Sequence, residues 1–135
     1  MDESYLHFSE LNEKLRAYLE KCFPYVEWKK TMKGAAIPSK VTGTVSASSI
    51  SFSDGAKGAD MAEVSYSIYL IDPASSAGVV EIAMMIRKAL IENDTLNGAF
   101  QSSMVNKIDF GAASGLPESA GASLISFQAK IWIGG

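Results

Sequence analysis

The sequence predicts an α+β domain in which a mostly antiparallel β-sheet carries two α-helices packed on one face, in the order α-β-β-β-α-β-β. Three observations carry that prediction. Two stretches repeat apolar residues at three- and four-residue spacing, as amphipathic helices do. Five others alternate apolar with polar residues or are rich in β-branched ones, the pattern of half-buried strands. The strands also follow one another in runs, whereas a parallel sheet needs a long crossover, usually a helix, between its strands. At 135 residues the chain reads as one domain, 1–135, with no internal repeat. A chain of this size buries roughly two-thirds of its unfolded surface around a single core.

The first helix is expected over Ser9 to Cys22. Leu11, Leu15, Tyr18, Leu19 and Cys22 fall on one face, and Glu10, Glu13, Lys14, Arg16, Glu20 and Lys21 fall elsewhere. Ser9 is the expected cap, and Pro24 stops the helix just after Phe23. On this pattern Cys22, the single cysteine, is a small core residue. Tyr25 to Met32 reads as a short strand, with Val26, Trp28 and Met32 set against Glu27 and Lys29. A connection, KGAAIPSK, follows from Lys33 to Lys40. Val41 to Ser53 is the next strand, with Val41, Val45, Ile50 and Phe52 as its apolar points. Its alternation breaks between Ala47 and Ile50, where a bulge would turn Ile50 and Phe52 inward. Asp54 to Asp60, with Gly55 and Gly58, suits a hairpin connection longer than the tight two-residue type. The return strand, Ala62 to Ile71, alternates most regularly: Ala62, Val64, Tyr66, Ile68 and Leu70 on one face, Glu63, Ser65, Ser67 and Tyr69 on the other.

Asp72 to Phe100 organises the rest. Asp72-Pro73 turns the chain, and Ser75 and Ser76 can cap a helix expected to begin near Gly78. Val79, Ala83, Ile86 and Leu90 recur at helical spacing, and Ile82, Met85 and Ala89 widen that stripe. Arg87, Lys88 and Glu92 mark the wet side, while Asn93-Asp94 and Asn97-Gly98 end the helix and reverse the chain. Ala99 to Phe110 is a strand with Phe100, Met104, Ile108 and Phe110 as its apolar residues. Gly111 to Gly121 is a long small-residue loop, of the kind a compact domain keeps for contact with something else. Ser123 to Ile133 closes the sheet, with Ile125, Phe127, Ala129, Ile131 and Ile133 on one face.

The chemistry-bearing residues are sparse. With His7 as the single histidine, a hydrolase triad or a multi-histidine metal site lacks its usual members. His7 is expected before the first helix, in solvent. Asp54 and Asp60 bracket a glycine-containing segment, but not at the spacing of an EF-hand. No phosphate-cradling glycine motif is present, and no cofactor or metal is expected. A lone cysteine forms no internal disulfide, and the chain has neither a signal-peptide pattern nor a long uncharged apolar run, so no membrane partner is expected. Net charge is −3, which argues against a dedicated nucleic-acid binder. The one basic concentration, Lys29, Lys30, Lys33 and Lys40 beside Trp28, reads first as a solvated strand end. The other reading is a surface turned toward a polyanion within a larger assembly.

The layout resembles the tail-terminator and tail-completion (minor tail) proteins of tailed bacteriophages. The resemblance rests on the amphipathic first helix ending in Phe23-Pro24, the polar strand and long hairpin, the segment AMMIRKALIENDTLNGAF with Ile86 to Gly98 as its most specific part, and two closing strands ending in Ile131-Trp132-Ile133. It implies a non-enzymatic virion subunit, from a phage or a prophage, assembled in the bacterial cytoplasm. Such a subunit forms a ring, in this family a hexamer, that caps the tail tube, stops its growth and offers the surface for head joining. The implied partners are other copies of the chain, the major tail tube protein and a head-completion or connector protein, and passage of DNA through the ring is left open. Under this resemblance the expected contacts lie in two loops: Asp54, Gly55, Lys57 and Asp60 in one, Gly115, Leu116, Pro117 and Glu118 in the other. The polar strand faces bearing Ser46, Ser48, Ser65 and Ser67 would line a wet channel or pair with another sheet. The alternative is a small α+β ligand-binding module with its pocket between the central helix and the sheet, or a head-tail connector module. An enzyme would need a polar cleft, and a buried carboxylate pair beside Tyr66 or Tyr69 would point to one.

Overall fold

The computed structural model describes residues 3–30, 40–56, 59–111 and 120–132, with side chains described over 10–30, 40–52, 61–111 and 120–131. The elements are α1 (Glu3–Cys22), β1 (Glu27–Lys29), β2 (Thr42–Ala56), β3 (Ala59–Asp72), α2 (Ser76–Glu92), β4 (Ser102–Gly111) and β5 (Gly121–Trp132). The class and element order are those expected. The strands form one sheet in the order β1-β2-β3-β5-β4. Only the short β1–β2 pair is parallel, and every other pair is antiparallel. α1 lies over β2, and α2 lies over β3, β4 and β5.

The core is the layer between the helices and one face of the sheet. Val45, Ile68 and Ile125 stand in one cross-strand row, Tyr66 and Phe127 in the next, and Val64 and Ala129 in the one after, all buried. From above, α2 lowers Val79, Ile82, Ala83, Ile86 and Leu90 onto them, and α1 adds Leu11, Leu15 and Leu19. Fully burying a Leu, Ile or Val side chain contributes about 1.5–3 kcal/mol, so this layer holds the helices down. The Tyr18 hydroxyl ties the two helices together by donating to the Ala89 carbonyl at 2.8 Å.

The ends of α2 are set by side chains that complete open backbone groups. Asp72 Oδ1 accepts from the backbone N–H groups of Ala74 (2.9 Å) and Ser75 (3.1 Å), and Ser75 Oγ accepts from Gly78 N–H at 2.9 Å. With Ser75 as the cap, the helix starts at Ser76, two residues before the expected Gly78. At the far end Asn93 Oδ1 accepts from Asn97 N–H at 3.0 Å, and the chain reverses through Leu96, Asn97 and Gly98, all at positive φ. Leu96 tolerates that conformation because its side chain is buried in the core.

Several boundaries and faces differ from expectation, each for a visible reason. α1 begins at Glu3, so Ser9 lies inside the helix and does not cap it, and His7 falls within the helix as well. Its buried stripe runs Leu11, Leu15, Leu19, Phe23 in steps of four; Cys22 falls beside that stripe and is exposed. β1 is only three residues long. The bulge in β2 sits between Ala47 and Ser49, as the broken alternation predicted. It turns Ile50 and Phe52 to the helix side, opposite Val64 and Ala62; both stay exposed although those β3 partners are buried, so the cover at this end lies over β3 and β5 and not over the edge of β2. The Asp54–Asp60 connection is shorter than expected: strand structure runs to Ala56 and resumes at Ala59. In α2, Met85 is 45% exposed, outside the buried stripe. β4 starts at Ser102 and bulges between Val105 and Lys107, which leaves Met104 on the face away from the helices. Phe110 lies on the helix side but is 47% exposed.

Gly121, where β5 starts, sits against the first turn of α2; a Cβ there would lie 2.7 Å from the Ser76 Cα. Because that neighbour is backbone, Gly121→Ala is expected to lower stability by about 1–3 kcal/mol in a denaturant titration. Gly111→Ala, whose Cβ would meet nothing within 4 Å, is the control and is expected to stay close to the parent.

Candidate assembly surface

The sheet face turned away from the helices is a polar plane, built by the alternation of its strands. Reading across β2, β3, β5 and β4, its rows are Ser46–Ser67–Ser126–Lys107, then Ser49–Ser65–Gln128–Met104, then Ser51–Glu63–Lys130–Ser102. Ser48, the residue displaced by the bulge, donates to the Ser65 carbonyl at 3.0 Å. Hydroxyls and amides of this kind hydrogen-bond water or an adjoining polar surface without fixed charge. The ion pair on this face, Lys107 with Asp109 at 3.4 Å, is solvent-exposed and adds little to stability.

Large apolar side chains are exposed at several places among the described residues, among them Tyr25 after α1, Met85 on α2 and Leu124 on the open face of β5. Ile50 and Phe52 stand on the far part of β2, and Met104 and Phe110 on β4. Val80, Met84 and Ile91 run down the outer side of α2 beside Arg87. Sequence reasoning marked that side of α2 as wet from its charges; the second stripe was readable in the spacing of Val80, Met84 and Ile91, four and seven residues apart. Met104 shares even sequence spacing with Ile108 and Phe110, but the register slip between Val105 and Lys107 puts it on the opposite face of the sheet.

The expected contact residues fare unevenly. Asp54, Gly55 and Asp60 are strand residues at the outer end of the β2–β3 hairpin, not loop residues. Lys57, Gly115, Leu116, Pro117 and Glu118 lie outside the described residues, as does Lys33. Of the remaining lysines, Lys29 ends β1 opposite Thr44, Lys30 follows it directly, and Lys40 lies just before β2. Trp28 is not available for stacking on a ligand. Its ring lies over Gly43 and its indole N–H donates to the Phe23 carbonyl at 3.1 Å.

The space between α2 and the sheet, where a ligand pocket was the alternative, is filled by the core. A groove of about 620 Å³ lies elsewhere, between α1 and the turn after α2, lined by Lys14, Tyr18, Lys21, Cys22, Leu96 and Asn97. Burial, and then the hydrogen bond with the Cys22 thiol, raise the Tyr18 phenol above its ordinary range. Among the described residues no three His, Cys, Asp or Glu side chains come together as metal ligands. No helix of the described residues is long and apolar enough to cross a membrane.

Tyr66, beside which a carboxylate pair would have pointed to catalysis, is packed by aromatic rings. Its centroid lies 6.2 Å from that of Phe100 and 5.9 Å from that of Phe127. Its hydroxyl has no hydrogen-bond partner among the described residues, and burial pushes its pKa up to about 12.

No family model matches the chain, and no curated protein matches it. Among solved structures, this two-layer arrangement of a mixed sheet under two helices is shared with a chain of the virion of a native gene transfer agent (GTA) particle. The two superpose with a TM-score of 0.52 at 12% sequence identity, over 89% of this chain and 90% of the other. At that identity the likeness is one of fold, over nearly the whole length of both chains.

The Tyr66 phenol, with a pKa of about 12 in the folded state against 10.0 for a free phenol, favours the folded state fully below pH 10; that contribution is lost as pH rises through 12. Over two pH units the loss amounts to about 2–3 kcal/mol. Denaturant titrations between pH 9 and 12 are expected to show this decline in the parent. Tyr66→Phe should remove its part of the decline while matching or exceeding the parent's stability at pH 7, since the buried hydroxyl has no partner. An unchanged alkaline profile in Tyr66→Phe would contradict the assignment.

Proposed function

We propose that the chain is a structural subunit of a phage or phage-like virion: a tail terminator that assembles with its own copies into a ring on the tail tube, stops tube growth and offers the head a joining surface. The observation that carries this reading is the fold shared, over nine-tenths of the other chain, with a component of a virion particle. The resemblance of the α2 segment to tail-terminator sequences narrows it from virion component to tail end. In this role the chain performs no covalent chemistry and holds no cofactor. Its partners are other copies, six in a closed ring, the tail tube protein and a head-side connector, and it resides in the tail after assembly in the bacterial cytoplasm. The open face, mostly hydroxyls with charges of both signs among them (Glu63, Lys107, Asp109 and Lys130), suits a water-filled bore.

Light scattering coupled to size exclusion is expected to show mass rising with protein concentration. Electron microscopy of the protein mixed with purified tail tubes is expected to show added density at one tube end only. Decoration along the tube walls, or no binding together with a strict monomer at millimolar concentration, would overturn the reading.

A further inference from the structure

We infer that copies of this chain join edge to edge, the outer part of β2 in one copy pairing with β4 of the next, so that the sheet continues from subunit to subunit. This rests on the proposed self-assembly and names the surface that performs it. Among the described residues the sheet has two long open edges. β1 covers β2 only at Thr42, Gly43 and Thr44, and no described strand pairs with the same side of β2 from Val45 to Ala56. β4 is the outermost strand on the other side of the sheet, and no described strand pairs with its outer side over its 10 residues. Such edges present rows of unpaired N–H and C=O groups, and natural proteins protect them with charge, proline or a covering segment.

β2 has no proline, its single charged residue, Asp54, lies near its outer end, and among the described residues no strand covers its edge beyond Thr44. Ser46 through Phe52 are all exposed. Its bulge lies at Ala47 and Ser49 and leaves Ser49 to Ser53 in regular register with β3. Both edges also expose large apolar side chains, Phe52 at 64% and Met104 at 61%, together with Ile50 and Phe110. Ile50, Phe52 and Phe110 all lie on the helix side, so a sheet continued across the junction would bring them to the same face. Pairing β2 with β2, or β4 with β4, would leave one edge of each copy bare. Pairing β2 with β4 covers both, and it is the head-to-tail contact that repeats around a closed ring.

The test blocks one edge at a time with inward-pointing lysines at positions exposed in the single copy: Ile50→Lys with Phe52→Lys on β2, and Met104→Lys with Phe110→Lys on β4. Masses are read by native mass spectrometry at concentrations where the parent associates. Each variant alone is expected to be monomeric, and an equimolar mixture to give 1:1 dimers that grow no further, since each copy retains one usable edge. If the β4-blocked variant still dimerises alone, or if the mixture stays monomeric, β2–β4 pairing is overturned. If both variants assemble like the parent, edge pairing falls while the ring reading stands. If the parent itself is monomeric both alone and on tail tubes, both readings fall. Hydrogen exchange on the unsubstituted protein covers the case in which a variant misfolds. Association is expected to slow exchange in 46–52 and 102–110, and unchanged exchange in either segment overturns the proposal.

Discussion

The structure depends on one contact, the packing of the helix-side rows of β3 and β5 against the apolar stripes of α1 and α2. β3 and β5 are flanked on both sides along most of their length, and they supply Val64, Tyr66, Ile68, Leu70, Ile125, Phe127 and Ala129 to the core. The strands farther out are secured through them. β4 is held to the sheet by β5, and β2 by β3. The aromatic trio of Tyr66, Phe100 and Phe127 lies within this contact, with all three centroids within 6.2 Å of one another, and fixes where the chain returns from α2 to the sheet.

That arrangement separates the molecule into regions of different character. Where the helices cover the sheet, the side chains are apolar and buried. At the edge strand that cover gives out: Ile50 and Phe52 on β2 reach solvent although their partners Val64 and Ala62 on β3 are buried. An edge strand left uncovered has surplus apolar and backbone groups, which suit it to docking. The opposite face carries the reverse composition, rows of hydroxyls with few charges. The helix-covered face stabilises the single copy, the free edges are suited to joining copies, and the polar face is suited to water. A ring subunit needs all three.

The groove between α1 and the turn after α2 shows how far the fold constrains function. It lies at the margin of the helix layer and not over the centre of the sheet. Its lysines and its one thiol come from the last turns of α1, where Phe23 and not Cys22 continues the buried stripe and so leaves the thiol exposed. Tyr18 sits at the boundary, its ring in the layer and its hydroxyl bonded to α2. The local polarity there follows from how α1 ends.

The amino-acid order by itself determined the class, the element order, the regular faces of β3 and β5, the buried stripe of α2 apart from Met85, and the position of the β2 bulge. All of these are written in short-range spacing, with a period of two in strands and 3.6 in helices, and need no knowledge of what lies opposite. Tertiary structure decided which apolar positions are covered. Ile50, Phe52, Met104 and Phe110 alternate in sequence as core residues do, yet they are exposed: Ile50, Phe52 and Phe110 lie on the helix side of the outer strands β2 and β4, where cover is incomplete, and a slipped register in β4 turned Met104 over. Periodicity states which way a side chain points relative to its neighbours in the chain. Whether anything lies in that direction depends on the lengths and crossing positions of elements far away in sequence, and only the folded chain sets those.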